Sequence, residues 1–271
     1  MNNFIELDSI KVPSLGLGTY GMDDNACSNA VTTALHIGYR HLDTAQMYNN
    51  EEAVGTGISK SDVNRSAIFL TTKVLPVNFS KAKFIPSVEE SLRKLKCEYI
   101  DLLLIHWPSD ETSNQIAVEQ LLLCKDKCYA KLIGVSNFTL NQMKLAQKSA
   151  PVICNQVEYH PYLGQHLMLE YLQQQELMLT AYRPLAMGKV LKEPLIINLA
   201  VKYNRTPNQI VLRWLIQQKN VAVIPKASNE KHQQSNFEIF NFSLLQDDMN
   251  RIFNLNTGTR FVDPTFAPDW D

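Results

Sequence analysis

Arg40-His41-Leu42-Asp43-Thr44-Ala45-Gln46-Met47-Tyr48 reads as a short strand that ends on two reactive side chains, the Asp43 carboxyl and the Tyr48 phenol. The pattern recurs twice downstream. Ile68-Phe69-Leu70-Thr71-Thr72 runs into Lys73, and Leu102-Leu103-Leu104-Ile105 runs into His106. Lys73 follows Asp43 by 30 residues and His106 follows Lys73 by 33, the length of one strand–helix unit. A parallel barrel carries the C-terminal ends of its strands to one rim, so this spacing predicts that Asp43, Tyr48, Lys73 and His106 meet in one pocket.

The rest of the chain keeps the alternation. Ser14–Leu17, Tyr39–Leu42, Ile68–Thr72, Asp101–Ile105, Leu132–Val135, Val152–Val157, Leu177–Ala181 and Val221–Ile224 read as eight strands. Amphipathic stretches separate them. Phe84, Val88, Leu92 and Leu95 recur at helical steps, with Ser80 as a cap upstream. Thr206-Pro207 opens another helix, with proline at its favoured first position. Strands alternating with helices predict a parallel sheet covered by helices, and eight of them predict an α/β fold of the (β/α)8 TIM-barrel type. The competing reading is an open doubly wound sheet. Gly16-Leu17-Gly18 starts its glycine signature and Gly21 completes the spacing, but eight strands at even intervals with no break in composition favour the barrel. Phe4–Val12 reads as an N-terminal β-hairpin with Asp8-Ser9 at its turn, placed to cap the barrel floor. Asn256–Asp271 reads as a C-terminal loop that Phe261, Phe266 and Trp270 anchor over the pocket.

Composition narrows the class. With 271 residues, 45% hydrophobic and 20% charged, the chain suits one globular domain over residues 1–271. A net charge of −1 gives no electrostatic argument for nucleic acid or an acidic membrane. Five scattered cysteines form no disulfide framework; Cys124 and Cys128 share a predicted helix without a second metal-type pair. The first residues lack the pattern of a signal peptide, and no apolar run is long enough to span a membrane. The expected location is the cytoplasm.

The residues at the strand ends are Thr19, Asp43, Lys73, His106, Ser136-Asn137, Asn155-Gln156, Tyr182 and Lys226. A phenol is a poor acid at neutral pH; an adjacent ammonium stabilises its phenolate and lowers its pKa. Lys73 supplies the ammonium, Asp43 holds it charged and aimed, and a neutral His106 offers an N–H to a substrate oxygen. This set suits protonating a carbonyl oxygen while hydride reaches its carbon. No side chain donates hydride, so a nicotinamide cofactor is implied. Ser136, Asn137 and Gln156 could bond its carboxamide and Tyr182 could stack on its ring. Lys226, entering the loop after the eighth strand, would meet the phosphate of an adenosine ribose, favouring NADP over NAD.

Taken singly, each residue has a plainer role. Asp43 and Lys73 could form only a buried ion pair, His106 could be a core histidine, and Tyr182 and Trp107 could be packing residues. Ser136-Asn137 could cap the helix after it, and Lys226 could be a solvated cation. A metal-dependent barrel hydrolase would need clusters of ligands at several strand ends. His160 and Glu158 follow one strand, but no second histidine accompanies His106.

The chain resembles the aldo-keto reductases along nearly its whole length. The matching pieces are Gly16-Leu-Gly-Thr-Tyr20, Gly38-Tyr-Arg-His-Leu-Asp-Thr-Ala-Gln-Met-Tyr48, Thr72-Lys73, Asp101-Leu-Leu-Leu-Ile-His-Trp-Pro108, Gly134-Val-Ser-Asn-Phe138, Asn155-Gln-Val-Glu-Tyr-His-Pro161, Tyr182-Arg-Pro-Leu185, Ile224-Pro-Lys226 and Ala267-Pro-Asp-Trp270. Within the family it is most similar to the bacterial 2,5-diketo-D-gluconate reductases, which also reduce methylglyoxal.

The resemblance implies NADPH-dependent reduction of small aldehydes and ketones by a monomer. Tyr48 would be the proton donor, Lys73 its partner, Asp43 the support and His106 the orienter. It assigns the cofactor to Gly18, Thr19, Asp43, Ser136, Asn137, Gln156, Tyr182, Leu185, Lys226, Ala227, Ser228, His232 and Asn236. It assigns the substrate to Tyr20, Met47, Tyr48, Leu75, His106 and Trp107, and no metal is implied. Two positions depart from the family. His232 stands where an arginine usually clamps the 2′-phosphate, which leaves NADH use open; Lys231 could compensate. Arg183 stands where serine is common. Some relatives hold the cofactor as redox sensors without catalysis, the competing function.

Overall fold

The strands of the main sheet are buried on both faces, which is why they read as unbroken apolar or β-branched runs. The computed structural model describes residues 3–7 and 9–271. Its strands are β1 (Phe4–Leu7), β2 (Ile10–Pro13), β3 (Leu17–Gly18), β4 (His41–Asp43), β5 (Phe69–Val74), β6 (Ile100–Ile105), β7 (Ala130–Ser136), β8 (Val152–Glu158), β9 (Met178–Tyr182) and β10 (Val221–Val223). The helices are α1 (Asp24–Ile37), α2 (Glu51–Lys60), α3 (Phe84–Leu95), α4 (Glu111–Asp126), α5 (Leu140–Ser149), α6 (His166–Gln174), α7 (Pro194–Tyr203), α8 (Pro207–Ile216), α9 (Glu230–Phe237) and α10 (Gln246–Phe253).

Strands β3 to β10 lie side by side in chain order, all parallel. Parallel bridges from Leu15 to Val223 and from Gly18 to Lys226 join the first of them to the last. The sheet is therefore a closed (β/α)8 barrel. Gly18 sits at that seam, where a Cβ would come within 2.6 Å of the Ile224 carbonyl oxygen. A side chain there would push the closing strands apart.

The hairpin β1–β2 plugs one end. Ile5, Leu7 and Val12 pack with Phe69, Leu102, Leu104, Leu132, Ile153, Met178 and Ala222 inside the barrel floor. Ser9 takes a left-handed φ of 65° at the turn; Asp8, its expected partner, lies outside the described residues. At the other end the tail crosses the strand C-termini. Phe261 and Val262 donate their backbone N–H groups to Glu158, and Phe266 and Trp270 pack edge-on against Trp107.

All eight expected strands form, but several begin or end elsewhere. Asp43, Lys73, Ser136 and Tyr182 belong to strands rather than following them. A polar residue closes an apolar run in the sequence, yet the barrel interior accepts these groups because they bond one another. Ser80 is not the cap of α3: Lys83 holds that position, and the Ser80 carbonyl accepts the N–H groups of Lys83 and Phe84. Cys128 lies beyond α4 with a left-handed φ of 61°, so it shares no helix with Cys124. Thr206-Pro207 opens α8 as expected, with Pro207 at its first position and the Thr206 N–H donating to Gln209 Oε1 at 2.9 Å.

Candidate active site

Strands β4, β5 and β6 bring Asp43, Lys73 and His106 to one end of the barrel, and the short 3-10 turn after β4 adds Tyr48. Gln46 fixes that turn by accepting the Leu75 N–H at 3.0 Å and donating to the Ser87 carbonyl at 3.1 Å. Lys73 Nζ donates to Asp43 Oδ1 at 2.5 Å, to the Thr44 carbonyl at 2.8 Å and to the Tyr48 hydroxyl at 3.4 Å. The second Asp43 oxygen accepts Gln156 Nε2 at 2.7 Å. Tyr48 lies edge-on to His106 and to Tyr20, with ring centroids 5.5 and 5.0 Å away.

Burial dominates the electrostatics. It pulls the Lys73 ammonium below its usual range, against the opposing pull of Asp43. It also lowers His106 well below 6.5, helped by the Lys73 charge, so the imidazole is neutral at pH 7. The Tyr48 phenol is pushed well above 10, first by burial and then by Asp43 and Tyr20, while Arg183 opposes them. The net shift is upward, opposite to the lowering expected from Lys73. The ammonium lies 2.5 Å from Asp43 and 3.4 Å from Tyr48, and the carboxylate charge offsets its effect on the phenol.

Asp43, Tyr48 and His106, with Lys73 buried behind them, open into a cavity of about 730 Å3, lined also by Gly18, Tyr20, Trp107, Ser136, Asn137, Gln156, Tyr182 and Lys226. Asn137 ties its walls together: it donates to the His106 carbonyl at 3.0 Å and to Ser136 Oγ at 3.1 Å, and accepts the Tyr182 hydroxyl at 2.7 Å. Ser136 does not cap the next helix; Thr139 does. Among the described residues Gln156 Oε1 makes no hydrogen bond, which leaves an acceptor facing the cavity. An amide acceptor, a tyrosine ring and a rim lysine around this volume fit a nicotinamide dinucleotide.

The remaining residues assigned by resemblance lie off the cavity wall. Thr19 is buried and donates to the Asp43 carbonyl at 3.0 Å. Asn236 accepts Asn208 Nδ2 at 2.7 Å and is 3% exposed, so packing occupies it. Ala227 is buried, and Met47, Leu75 and Leu185 are half-buried without lining the cavity. Ser228, Lys231 and His232 are exposed around the start of α9, beyond Lys226.

Three features escaped the sequence reading. Arg183 and Met187 line the cavity, and Glu158 holds the tail at Phe261 and Val262. A smaller hollow of about 340 Å3 between α4 and α5 lies away from the strand ends. Among the described residues no three His, Cys, Asp or Glu side chains gather to hold a metal, and no helix is long and apolar enough to cross a membrane.

The Aldo/keto reductase family model matches residues 14–257. The chain belongs to this family. The aldo/keto reductase is 40% identical over 266 residues to methylglyoxal reductase DkgB of Escherichia coli O157:H7, covering 96% of this chain and 99% of that relative. A solved structure of a protein assigned as 2,5-diketo-D-gluconic acid reductase B superposes with a TM-score of 0.97 at 39% identity, covering 100% of this chain and 98% of the other. The aldose reductase of Schistosoma japonicum superposes with a TM-score of 0.91 at 28% identity, covering 99% of each chain. The chain is thus an oxidoreductase of the aldo/keto reductase type, built on the barrel expected from its strand spacing.

Proposed function

We propose that this aldo/keto reductase uses NADPH to reduce small aldehydes and ketones to alcohols, with Tyr48 as the proton donor. The observation that carries the reading is the contact chain Asp43–Lys73–Tyr48 beside His106, at the wall of one cavity. When bound, the nicotinamide supplies hydride to the carbonyl carbon.

The chain's own residues do the rest. His106 is neutral, and an N–H on its buried Nδ1 would have no acceptor. Its proton therefore belongs on Nε2, where it can donate to the carbonyl oxygen and orient it. Tyr48 stays protonated at neutral pH because burial raises its pKa. The oxygen becomes a stronger base than phenolate as it gains charge, so the proton moves from Tyr48 to it. Lys73 then stabilises the phenolate at hydrogen-bond distance, and Asp43 keeps that ammonium in place. Gln156 and Tyr182 would hold the carboxamide and the ring, and Lys226 the 2′-phosphate. The tail and Trp107 wall off the substrate side.

The names of the relatives suggest methylglyoxal and 2,5-diketo-D-gluconate as the first substrates to try. Five cysteines without a disulfide suit a reducing compartment, so we place the enzyme in the cytoplasm, acting as a monomer. The test is a carbonyl panel with NADPH and NADH side by side. Turnover of at least one small carbonyl with NADPH is expected. Tight NADPH binding without turnover of any carbonyl would instead favour a redox sensor.

A further inference from the structure

A glutamate at the start of a helix gains from the helix dipole while its carboxyl stays in water. Glu51, the first residue of α2, is instead turned inward and only 3% exposed. Among the described residues its carboxyl takes its hydrogen bonds from two hydroxyls, Thr72 Oγ1 at 2.6 Å and Ser91 Oγ at 3.2 Å. Burial pushes the carboxyl above its usual range, and these two bonds oppose that shift. Taking a carboxyl out of water is costly, and the two bonds offset part of the cost.

Both bonds lead back to the proton donor. Thr72 immediately precedes Lys73 in β5. Successive strand residues face opposite ways, so Thr72 meets Glu51 on the helix side while Lys73 reaches Asp43 inside the barrel. Ser91, on α3, accepts Gln46 Nε2 at 3.1 Å, and Gln46 opens the 3-10 turn that ends on Tyr48. One Glu51 oxygen is thus tied next to Lys73, and the other, through Ser91 and Gln46, to the turn that carries Tyr48. The contact between Lys73 and Tyr48 is 3.4 Å, near the limit of a hydrogen bond, so a small further separation ends it.

We propose that Glu51 is a positioning residue: through Thr72 on one side and Ser91–Gln46 on the other, it sets the distance between the Lys73 ammonium and the Tyr48 hydroxyl. The assignment rests on Tyr48 as the proton donor of the function proposed above. Glu51 is buried behind the cavity and does not line it. Its effect therefore falls on proton transfer, where Lys73 stabilises the phenolate that Tyr48 leaves behind, and not on binding. Gln46 keeps its bonds to the Leu75 N–H and the Ser87 carbonyl when the link to Glu51 is cut, so the turn shifts rather than unfolds.

The test is single-turnover oxidation of bound NADPH by methylglyoxal, in H2O and in D2O, beside direct titration of NADPH. Glu51→Gln keeps the shape but replaces one of the two acceptor oxygens by an NH2 group. It should slow the single turnover by about tenfold, enlarge the further slowing in D2O and leave the Kd for NADPH unchanged. Ser91→Ala cuts only the link to Gln46 and should act in the same direction by about threefold; it carries the test if Glu51→Gln does not fold. A turnover rate and D2O effect equal to those of the unaltered enzyme, whatever the melting temperature, would make Glu51 a packing residue and overturn the proposal. A slower turnover with an unchanged D2O effect and weakened NADPH binding would mark a general distortion of the cavity and overturn it as well. No turnover in the unaltered chain, or turnover retained in Tyr48→Phe, would defeat the functional reading itself and the role of Glu51 with it.

Discussion

Lys73 carries its amine with no exposed surface, and that is affordable only because Asp43 and the Thr44 carbonyl meet it. Burial holds Tyr48 above its ordinary pKa, and the Asp43 carboxylate adds to the effect. Tyr48 is therefore a loaded donor rather than an ionised one. Lys226 differs, being exposed at the rim with its amine on the Gly21 carbonyl at 2.9 Å. It has no such partner to lose, so its substitution should read out cleanly in cofactor choice. Lys226→Ala should raise the Kd for NADPH by about tenfold or more while changing that for NADH little, because one charged contact to phosphate is removed. Equal changes for both cofactors would show that this lysine does not read the 2′-phosphate.

Among the elements, the C-terminal tail depends on one residue of β8. Glu158 is fully buried; it accepts the N–H groups of Phe261 and Val262 at 2.9 to 3.2 Å and His160 Nε2 at 3.0 Å. Those bonds hold its carboxyl below the usual range despite burial. Glu158→Gln replaces one acceptor oxygen by a donor that faces an N–H. It should destabilise the fold by about 2 kcal/mol in denaturant unfolding and speed proteolysis within residues 256–271. An unchanged cleavage rate would mean that the aromatic contacts alone hold the tail. The sequence shows the tail's aromatic anchors because aromatic residues in an irregular segment need something to pack against. It does not show the role of Glu158, whose partners in the tail lie more than 100 residues away and are backbone groups. The strands were legible because burial on both faces leaves a continuous apolar run. Their ends were not, because Asp43 and Lys73 point into the barrel while looking like loop residues. Glu51 stayed opaque for a related reason: the hydroxyls it meets, on Thr72 and Ser91, come from two other elements.

For the molecule as a whole, closing the barrel buries titratable groups that the unfolded chain leaves in water. His41 bonds the Pro13 carbonyl at 3.0 Å, and burial pulls it below 6.5 as it does His106. Between those lowered values and 6.5 the unfolded chain binds more protons than the folded one, so stability falls as pH drops through that window. The melting temperature should decline from pH 7 to pH 5, and less steeply in His41→Gln than in the unaltered chain. A melting temperature that rises toward pH 5 would contradict the burial of both rings as neutral bases. The same closure gathers Asp43, Tyr48, Lys73 and His106 from three separate strand–helix units into one wall, and the proposed chemistry depends on that gathering. The most direct test measures kcat with methylglyoxal and the Kd for NADPH in Tyr48→Phe. The account predicts turnover lost by at least about a thousandfold with cofactor affinity nearly unchanged. Turnover close to that of the unaltered enzyme would contradict it.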